Sequence, residues 1–336
     1  MEVKNTAVKV VFQYQGLVTE AYKTFFRENT PEDIQLIFIE ERGDQPLLAR
    51  AEEADVLVGY KLSKEFMEKA INLRHIQIPW TGFNNFGAEH LHGRDHITVS
   101  NSHSNSLAIA EHAVALLFAA SKLLPHRDSE MRKGDWTTRY TETNSFWVTG
   151  KKLGIIGYGA IGKQVAGMLK VGFSMKVLAI KRNPGEKDEN VDFIGGMNDL
   201  KRVLKDADFI LIALPLTSET EGLIKSKHFE MMKSNAVIIN IARGPIIDEE
   251  SLYKALKEGK IGAAGIDTWY NYPKGDQRIV EQNFPFHELK NIVMTPHSAF
   301  KIRDREEIFA LDILTNIRLV HENKDPINQV DLKLGY

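Results

Sequence analysis

The chain has 336 residues, 43% of them hydrophobic and 26% charged, with a formal net charge of -2 and no cysteine. That length exceeds what one hydrophobic core usually supports, so two domains are expected, and the even charge balance points away from nucleic acid or a membrane surface as partner. Without cysteine there is no disulfide, thiolate nucleophile or zinc–thiolate site, so any redox chemistry has to come from a cofactor.

No apolar run approaches the roughly 20 residues that a membrane-spanning helix needs, and Met1-Glu2-Val3-Lys4 lacks the apolar core of a signal peptide, so a cytoplasmic protein is expected. Strand-like runs at Val8 to Phe12, Ile34 to Ile39, Val56 to Gly59, Ile76 to Ile78 and Ile97 to Ser100 alternate with helical stretches, which predicts a small α/β unit. The polar run Asn101-Ser102-His103-Ser104-Asn105-Ser106 then offers serine and asparagine caps to Leu107 to Leu124, which is apolar on nearly every face. A helix of that kind needs cover on all sides, so it is expected between the two domains, with the junction close to residue 101 and the helix stopping near Pro125. Residues 126 to 150 carry Gly134-Asp135-Trp136 and Phe146-Trp147 without a period and are expected as an irregular surface segment.

From Lys152 the pattern becomes strand and helix in strict succession, with apolar runs at Lys152 to Ile156, Val177 to Ile180, Phe209 to Ala213, Ala236 to Asn240, Gly262 to Asp267 and Ile292 to Met294. Six such runs predict a doubly wound parallel sheet. The last helical stretch, Asp304 to Asn323, has helical apolar spacing at Ala310, Ile313, Leu314 and Ile317 and is expected to return to the first domain.

Gly157-Tyr158-Gly159-Ala160-Ile161-Gly162 directly follows the run Lys152 to Ile156 and opens a helix to about Lys170, the context in which this motif binds a dinucleotide. Gly157 permits the tight turn, Gly159 lets the backbone approach a pyrophosphate, and Gly162 lets the helix pack close to the strand, so that an anion meets free N–H groups at a helix start. The next strand end reads Leu178-Ala179-Ile180-Lys181-Arg182-Asn183. A unit that prefers NAD places an Asp or Glu there for the adenosine ribose. Lys181 and Arg182 offer charge-assisted hydrogen bonds to a 2′-phosphate instead, so NADP is the expected cofactor, with NAD the alternative.

Four segments, in order and spacing, resemble the D-isomer-specific 2-hydroxyacid dehydrogenase family, which also holds glyoxylate/hydroxypyruvate reductases, phosphoglycerate dehydrogenases and formate dehydrogenases. They are Asn105 to Leu117 with Ala110-Glu111-His112, the glycine turn, Asn240-Ile241-Ala242-Arg243-Gly244-Pro245 ahead of Asp248-Glu249, and Thr295-Pro296-His297; the similarity runs from Ile76 to Ala299. The resemblance implies an α/β fold of two Rossmann-like domains. A doubly wound nucleotide domain, residues 102–299, is inserted in a smaller flavodoxin-like substrate domain, residues 1–101 and 300–336. It further implies catalysis in the cleft between them, a small carboxylate substrate, and a homodimer held by the long-helix region.

Arg243 follows the run Ala236 to Asn240, at the carboxyl end of the sheet where ligands gather. A guanidinium there grips an α-keto acid by its carboxylate and carbonyl oxygens and polarises the carbonyl, and the family's substrate arginine matches this position. His297, after the last strand and a Thr-Pro turn, is placed to give a proton to the carbonyl oxygen as hydride arrives on carbon. By resemblance, Asp267 hydrogen-bonds the nicotinamide carboxamide, and Leu214, Pro215, Thr220, Ile241 and Ala242 line the cofactor cleft. Thr81 and Gly82 match the loop whose backbone N–H groups bind the substrate carboxylate, with Trp80 and Asn84 either further contacts or core and turn residues. The other histidines, including His90, His92 and His96, are read as structural, and no metal site is expected.

Most family members carry a glutamate five residues after the strand-end aspartate, hydrogen-bonded to the catalytic histidine; here that position is Tyr272. A phenol can orient an imidazole but does not stabilise imidazolium as a carboxylate does. Trp269, Tyr270 and Tyr272 are read either as a wall of the substrate pocket or as aromatic packing under a loop. The expected function is hydride transfer between NADP(H) and a small 2-keto/2-hydroxy acid, specific for the D-isomer, with Arg243, His297 and Tyr272 as the catalytic set. The alternatives are formate oxidation, since formate dehydrogenases share the Asp-x-Trp opening and also lack the glutamate, and an NAD(P)-sensing binding protein with weakened catalysis.

Overall fold

A computed structural model describes residues 7–13, 18–82, 86–141, 145–185, 188–303 and 305–332. The starting residues Met1 to Lys4, and Asn84, lie outside the described residues. Runs of β-branched and aliphatic residues that bury both faces form parallel strands covered by helices; Val56–Val58 and Val237–Asn240 are buried at every position. The chain divides into two compact units, Met1–Asn105 with Ile302–Tyr336, and Ser106–Lys301.

In the first unit β1 (Val8–Phe12), β2 (Ile34–Phe38), β3 (Val56–Val58), β4 (His75–Gln77) and β5 (Thr98–Ser100) form a parallel sheet of order β2-β1-β3-β4-β5. That order is the flavodoxin-like one. The helix Arg305–His321 joins this unit through Ala310, Ile313 and Ile317, which share a core cluster with Val10, Phe12 and Phe26. A buried polar link adds direction to that packing: Asn316 Nδ2 donates to Gln77 Oε1 at 2.6 Å, and Asn316 Oδ1 accepts the N–H of Ile327 at 2.7 Å. Both groups are out of water, so the pairing is required rather than optional.

The second unit contains β6 (Lys152–Ile156), β7 (Lys176–Ile180), β8 (Phe193–Gly195), β9 (Phe209–Ile212), β10 (Val237–Asn240), β11 (Ala263–Ile266) and β12 (Ile292–Met294). Their order, β12-β11-β10-β9-β6-β7-β8, is the doubly wound arrangement with a seventh strand at one edge, and every pairing is parallel. The strand β8 is an addition to the six expected: three residues at a sheet edge, with only Gly195 buried, carry too little apolar pattern to be read in advance.

Two expectations are corrected. The apolar helix spans Ser106–Ser121 and packs on the helix Ala160–Phe173 and on β10 and β11, burying Ala110, Ala113, Leu116, Leu117 and Ala120. It ends before Leu123, which takes a left-handed conformation (φ 52°), and the chain bends by 63° into a helix at Leu124–Arg132. Pro125 therefore opens the second helix instead of stopping the first, because its missing N–H has no partner in a first turn anyway. Residues 126–150 are also less irregular than expected, since they contain most of that helix and a further turn of helix at Thr137–Tyr140. Among the described residues no single helix is long and apolar enough to cross a membrane; the bent pair Ser106–Ser121 and Leu124–Arg132 passes together by length and composition alone.

Inside the first unit His75 is fully buried, with Nδ1 against Thr98 Oγ1 at 2.8 Å and Nε2 without a hydrogen-bond partner. Burial lowers its pKa from 6.5 to about 4. The unfolded chain then binds a proton more readily than the folded one, so the stability tied to neutral His75 is complete above pH 6.5 and is lost as pH falls through about 4. Wild-type protein should lose up to about 3 kcal/mol more than His75→Leu between neutral pH and about pH 4. Urea unfolding at the two pH values measures this, and equal losses in the two proteins would count against it.

Candidate active site

At the carboxyl end of β6 the chain turns through Gly157 with φ 106°, a left-handed geometry that costs glycine nothing. A Cβ there would sit 2.5 Å from the carbonyl of Ala213, and one at Gly162 would sit 2.6 Å from the carbonyl oxygen of Gly157, so larger residues would force strand and helix apart. Gly159 differs, since a side chain added there meets nothing within 4 Å and no side chain caps the helix Ala160–Phe173. The N–H groups of Ala160, Ile161 and Gly162, which have no acceptor within the helix, thus open onto free space suited to an anion. Sheet order reverses between β6 and β9 at this turn, the switch point where nucleotides bind in such sheets.

Tyr158, expected at the cofactor, is held by the protein itself. Its N–H donates to Ile180 O at 3.0 Å, its ring is buried, and its hydroxyl donates to the Asp188 carboxylate at 2.8 Å, with burial and Asp188 raising the pKa of the phenol. It anchors the turn through both its N–H and its hydroxyl. Thr220 is a similar case: its hydroxyl donates to Pro215 O at 2.7 Å and accepts the N–H of Thr217 at 2.8 Å, which shapes the loop after β9. Leu214, Ile241 and Ala242 are buried apolar residues following β9 and β10, and Pro215 is exposed.

Lys181 and Arg182 are both exposed just after β7. The sequence contains no acid at that strand end, yet a carboxylate arrives from elsewhere, because Glu219 in the loop after β9 pairs with Arg182 at 2.9 Å. Only the fold brings these residues together.

Arg243 follows β10 and is half-buried, with Nη1 donating to Ala242 O at 2.7 Å. Burial lowers its pKa, and among the described residues no carboxylate pairs with it. His297 sits just after β12 with φ 52°, so it carries the strain of a left-handed conformation in a residue with a Cβ. Burial and the Arg243 cation push its pKa down, while the Asp267 carboxylate pushes the other way without prevailing. Tyr272 reaches the same place, its ring 5.6 Å from the His297 ring at 60°, and its hydroxyl oxygen accepts the N–H of Trp269 at 3.1 Å. The contact is ring to ring, so the phenol contributes no charge to the imidazole.

Asp267, at the end of β11, has an almost fully buried carboxylate, which accepts from Thr295 Oγ1 at 2.6 Å and from the N–H groups of Ser298 at 2.9 Å and Ala299 at 3.2 Å. His112 lies 3.4 Å away on the helix Ser106–Ser121. Burial opposes ionisation, but hydrogen bonds from His112, Thr295, Ser298 and Ala299 outweigh it and keep the carboxyl below its usual range. The sequence reads His112 as structural, and the available signal is a polar ring next to Glu111 on a largely apolar helix. The aromatic group splits in two: Trp269 donates to Thr295 O and Tyr270 to Ile247 O, each at 2.8 Å, and both pack on the core, while Tyr272 is 41% exposed. Packing therefore prevails for Tyr270, while Trp269 packs on the core and also faces a pocket. A pocket of about 640 Å³ is bordered by Trp269, Tyr272, Met294, Thr295 and Pro296, and neither Arg243 nor His297 lines it.

In the other unit, Thr81 Oγ1 donates to Ser102 O at 2.9 Å and Asn101 Nδ2 donates to Thr81 O at 3.0 Å, so the Thr81-Gly82 loop is tied to the segment after β5. Trp80 packs against Tyr60, ring centroids 5.2 Å apart. Among the described residues there is no group of three or more side chains that could hold a metal.

The family model for the NAD binding domain of D-isomer specific 2-hydroxyacid dehydrogenases matches residues 114–299. The glyoxylate reductase of Pyrococcus furiosus is 31% identical over 284 residues, covering 81% of this chain and 81% of that protein. The D-3-phosphoglycerate dehydrogenase of Methanocaldococcus jannaschii is 31% identical over 293 residues, 86% of this chain, and this chain spans about half of that protein's length, 54%. Among solved structures, an acyclic imino acid reductase in complex with NADPH and D-arginine superposes with a TM-score of 0.78 at 25% identity, covering 96% of this chain and 100% of that one.

The lowered pKa of His297 has a direct test. The imidazole should titrate below an exposed histidine, and Tyr272→Glu, which places a carboxylate against the ring, should raise its pKa by roughly one unit or more. Histidine NMR across the pH range measures both, and an unmoved titration in Tyr272→Glu would show that residue 272 does not act on His297.

Proposed function

The chain belongs to the D-isomer-specific 2-hydroxyacid dehydrogenase family, and on that premise we propose that it reduces small 2-keto acids to D-2-hydroxy acids with NADPH, Arg243 holding the substrate and His297 supplying the proton. The observation that carries this is a half-buried guanidinium with no carboxylate partner among the described residues, acting electrostatically on a histidine. A cation kept out of water without a counter-charge is costly unless an anion completes the site. A 2-keto acid supplies that anion.

Arg243 presents a planar fork that holds a carboxylate and a neighbouring carbonyl oxygen together, drawing electron density from the carbonyl carbon. When bound, the reduced nicotinamide supplies the hydride for that carbon. His297 donates a proton to the carbonyl oxygen, and its depressed pKa makes it a ready donor in its charged form. Asp267 Oδ2 accepts one N–H, from Ala299, and so keeps capacity for the nicotinamide carboxamide. The open cradle over Gly159, the first N–H groups of the helix at Ala160, Ile161 and Gly162, and the exposed Lys181 suit a dinucleotide with a 2′-phosphate, for which Arg182 exchanges its surface pairing with Glu219. We read Thr81 and Gly82 as a carboxylate-binding loop through their backbone N–H groups. A sensor without catalysis would have no use for an Arg243 that lacks a carboxylate partner among the described residues and acts on His297.

The exposed side chains Leu124, Met131, Trp136, Tyr140 and Trp147 fall within one stretch of the larger unit, and we read them as the face on which two copies pair. Sedimentation at twice the 38.1 kDa chain mass supports this, and a monomer at assay concentration refutes it.

Fluorescence titration is expected to find NADPH bound more tightly than NADH, with the preference lost when Lys181 and Arg182 are both changed to alanine. Equal binding of the two cofactors by the wild-type protein would remove the NADP assignment. Arg243→Ala is expected to lower kcat/KM for glyoxylate by at least about a hundredfold, roughly 3 kcal/mol of transition-state binding, with NADPH affinity within about twofold. Activity retained within about tenfold would mean that another residue grips the substrate.

A further inference from the structure

We infer that His112 is a positioning residue for His297, acting from the buried helix Ser106–Ser121 through Thr295 and Asp267 on the backbone of the turn that carries the imidazole. The inference rests on the reading of His297 as proton donor.

The direction of each hydrogen bond follows from counting protons. Thr295 has one hydroxyl proton, and its oxygen is 2.6 Å from Asp267 Oδ1 but 3.5 Å from the carbonyl oxygen of Ile266. An ionised carboxylate only accepts, so the proton points to Asp267. Thr295 Oγ1 is then left to accept from His112 Nε2 at 3.1 Å, which requires a hydrogen on Nε2. The same N–H is 3.4 Å from Asp267 Oδ1.

The other end of this chain holds His297. Its own N–H donates to Thr295 O at 3.0 Å, and the two N–H groups that follow it, of Ser298 and Ala299, both end on Asp267. Those bonds bracket the left-handed residue from both sides and offset the strain at φ 52°. His112 stands on a helix whose Ala110 and Ala113 are buried in the core, so it is a fixed post against which threonine and aspartate are set. Without it, one donor to a buried charged cluster is lost and the turn gains room to relax.

Wild type, His112→Leu, His112→Asn and His112→Gln are compared by amide hydrogen exchange at Ser298 and Ala299 and by reduction of glyoxylate, hydroxypyruvate and pyruvate with NADPH. His112→Leu is expected to speed exchange at both amides and to lower kcat about tenfold, with KM and NADPH affinity within about twofold. Asparagine, too short to reach Thr295, is expected to fall with leucine, and glutamine, whose Nε2–H reaches the same acceptor, to recover most of the loss. Exchange and kcat unchanged in both His112→Leu and His112→Asn overturn the inference, as does a glutamine variant no better than asparagine. A wild-type protein that reduces none of the three acids overturns the reading of His297 instead, and exchange at Ser298 and Ala299 then decides the role of His112.

Discussion

The carboxylate of Asp267 is almost completely buried and stays ionised because its own chain surrounds it with donors from Thr295, Ser298, Ala299 and His112. Much of the candidate site depends on that arrangement. The acceptor fixes the turn after β12, the turn fixes a strained His297, and the imidazole lies within reach of the Arg243 charge and the Tyr272 ring. A buried charge satisfied in this way is rigid, because breaking any one bond leaves a polar group stranded out of water.

Arg243 is the counterpart, a cation partly removed from water and balanced by no acid among the described residues. A buried anion held by hydrogen bonds and a cation without a carboxylate partner among the described residues act on one histidine in opposite directions, and on the proposed reading an anionic substrate completes the set. With a phenol in place of the family glutamate, the protonation of His297 is set by burial and by Arg243 against Asp267. A carboxylate at position 272 would make the imidazole a stronger base than burial and Arg243 leave it here.

At the other end of the proposed ligand, steric constraints matter more than charge. Gly157 and Gly162 let strand, turn and helix approach to distances that no Cβ permits, and Gly159 leaves the helix start open. The side chain between them is turned inward, since Tyr158 spends its N–H and hydroxyl on the protein. A glycine motif thus contributes by what it leaves out, and the residues between the glycines need not touch the ligand.

Much of this was determined by the sequence alone. Short doubly apolar runs separated by helical stretches require parallel sheets covered on both faces, and the spacing of the glycines required a tight strand-to-helix turn. The positions of Arg243, His297 and Asp267 after strand runs put them at the carboxyl edge of a sheet. Tertiary structure decided what depends on partners distant in sequence: Glu219 beside Arg182, His112 beside Asp267, the inward turn of Tyr158, the packing of Trp269 and Tyr270, and the edge strand Phe193–Gly195. Local pattern records which face of an element is apolar, because periodicity and burial are linked within a few residues. Which donor meets which carboxylate across 37 or 155 residues of chain (219 − 182 and 267 − 112) is set only when the elements pack, and no local pattern carries that information.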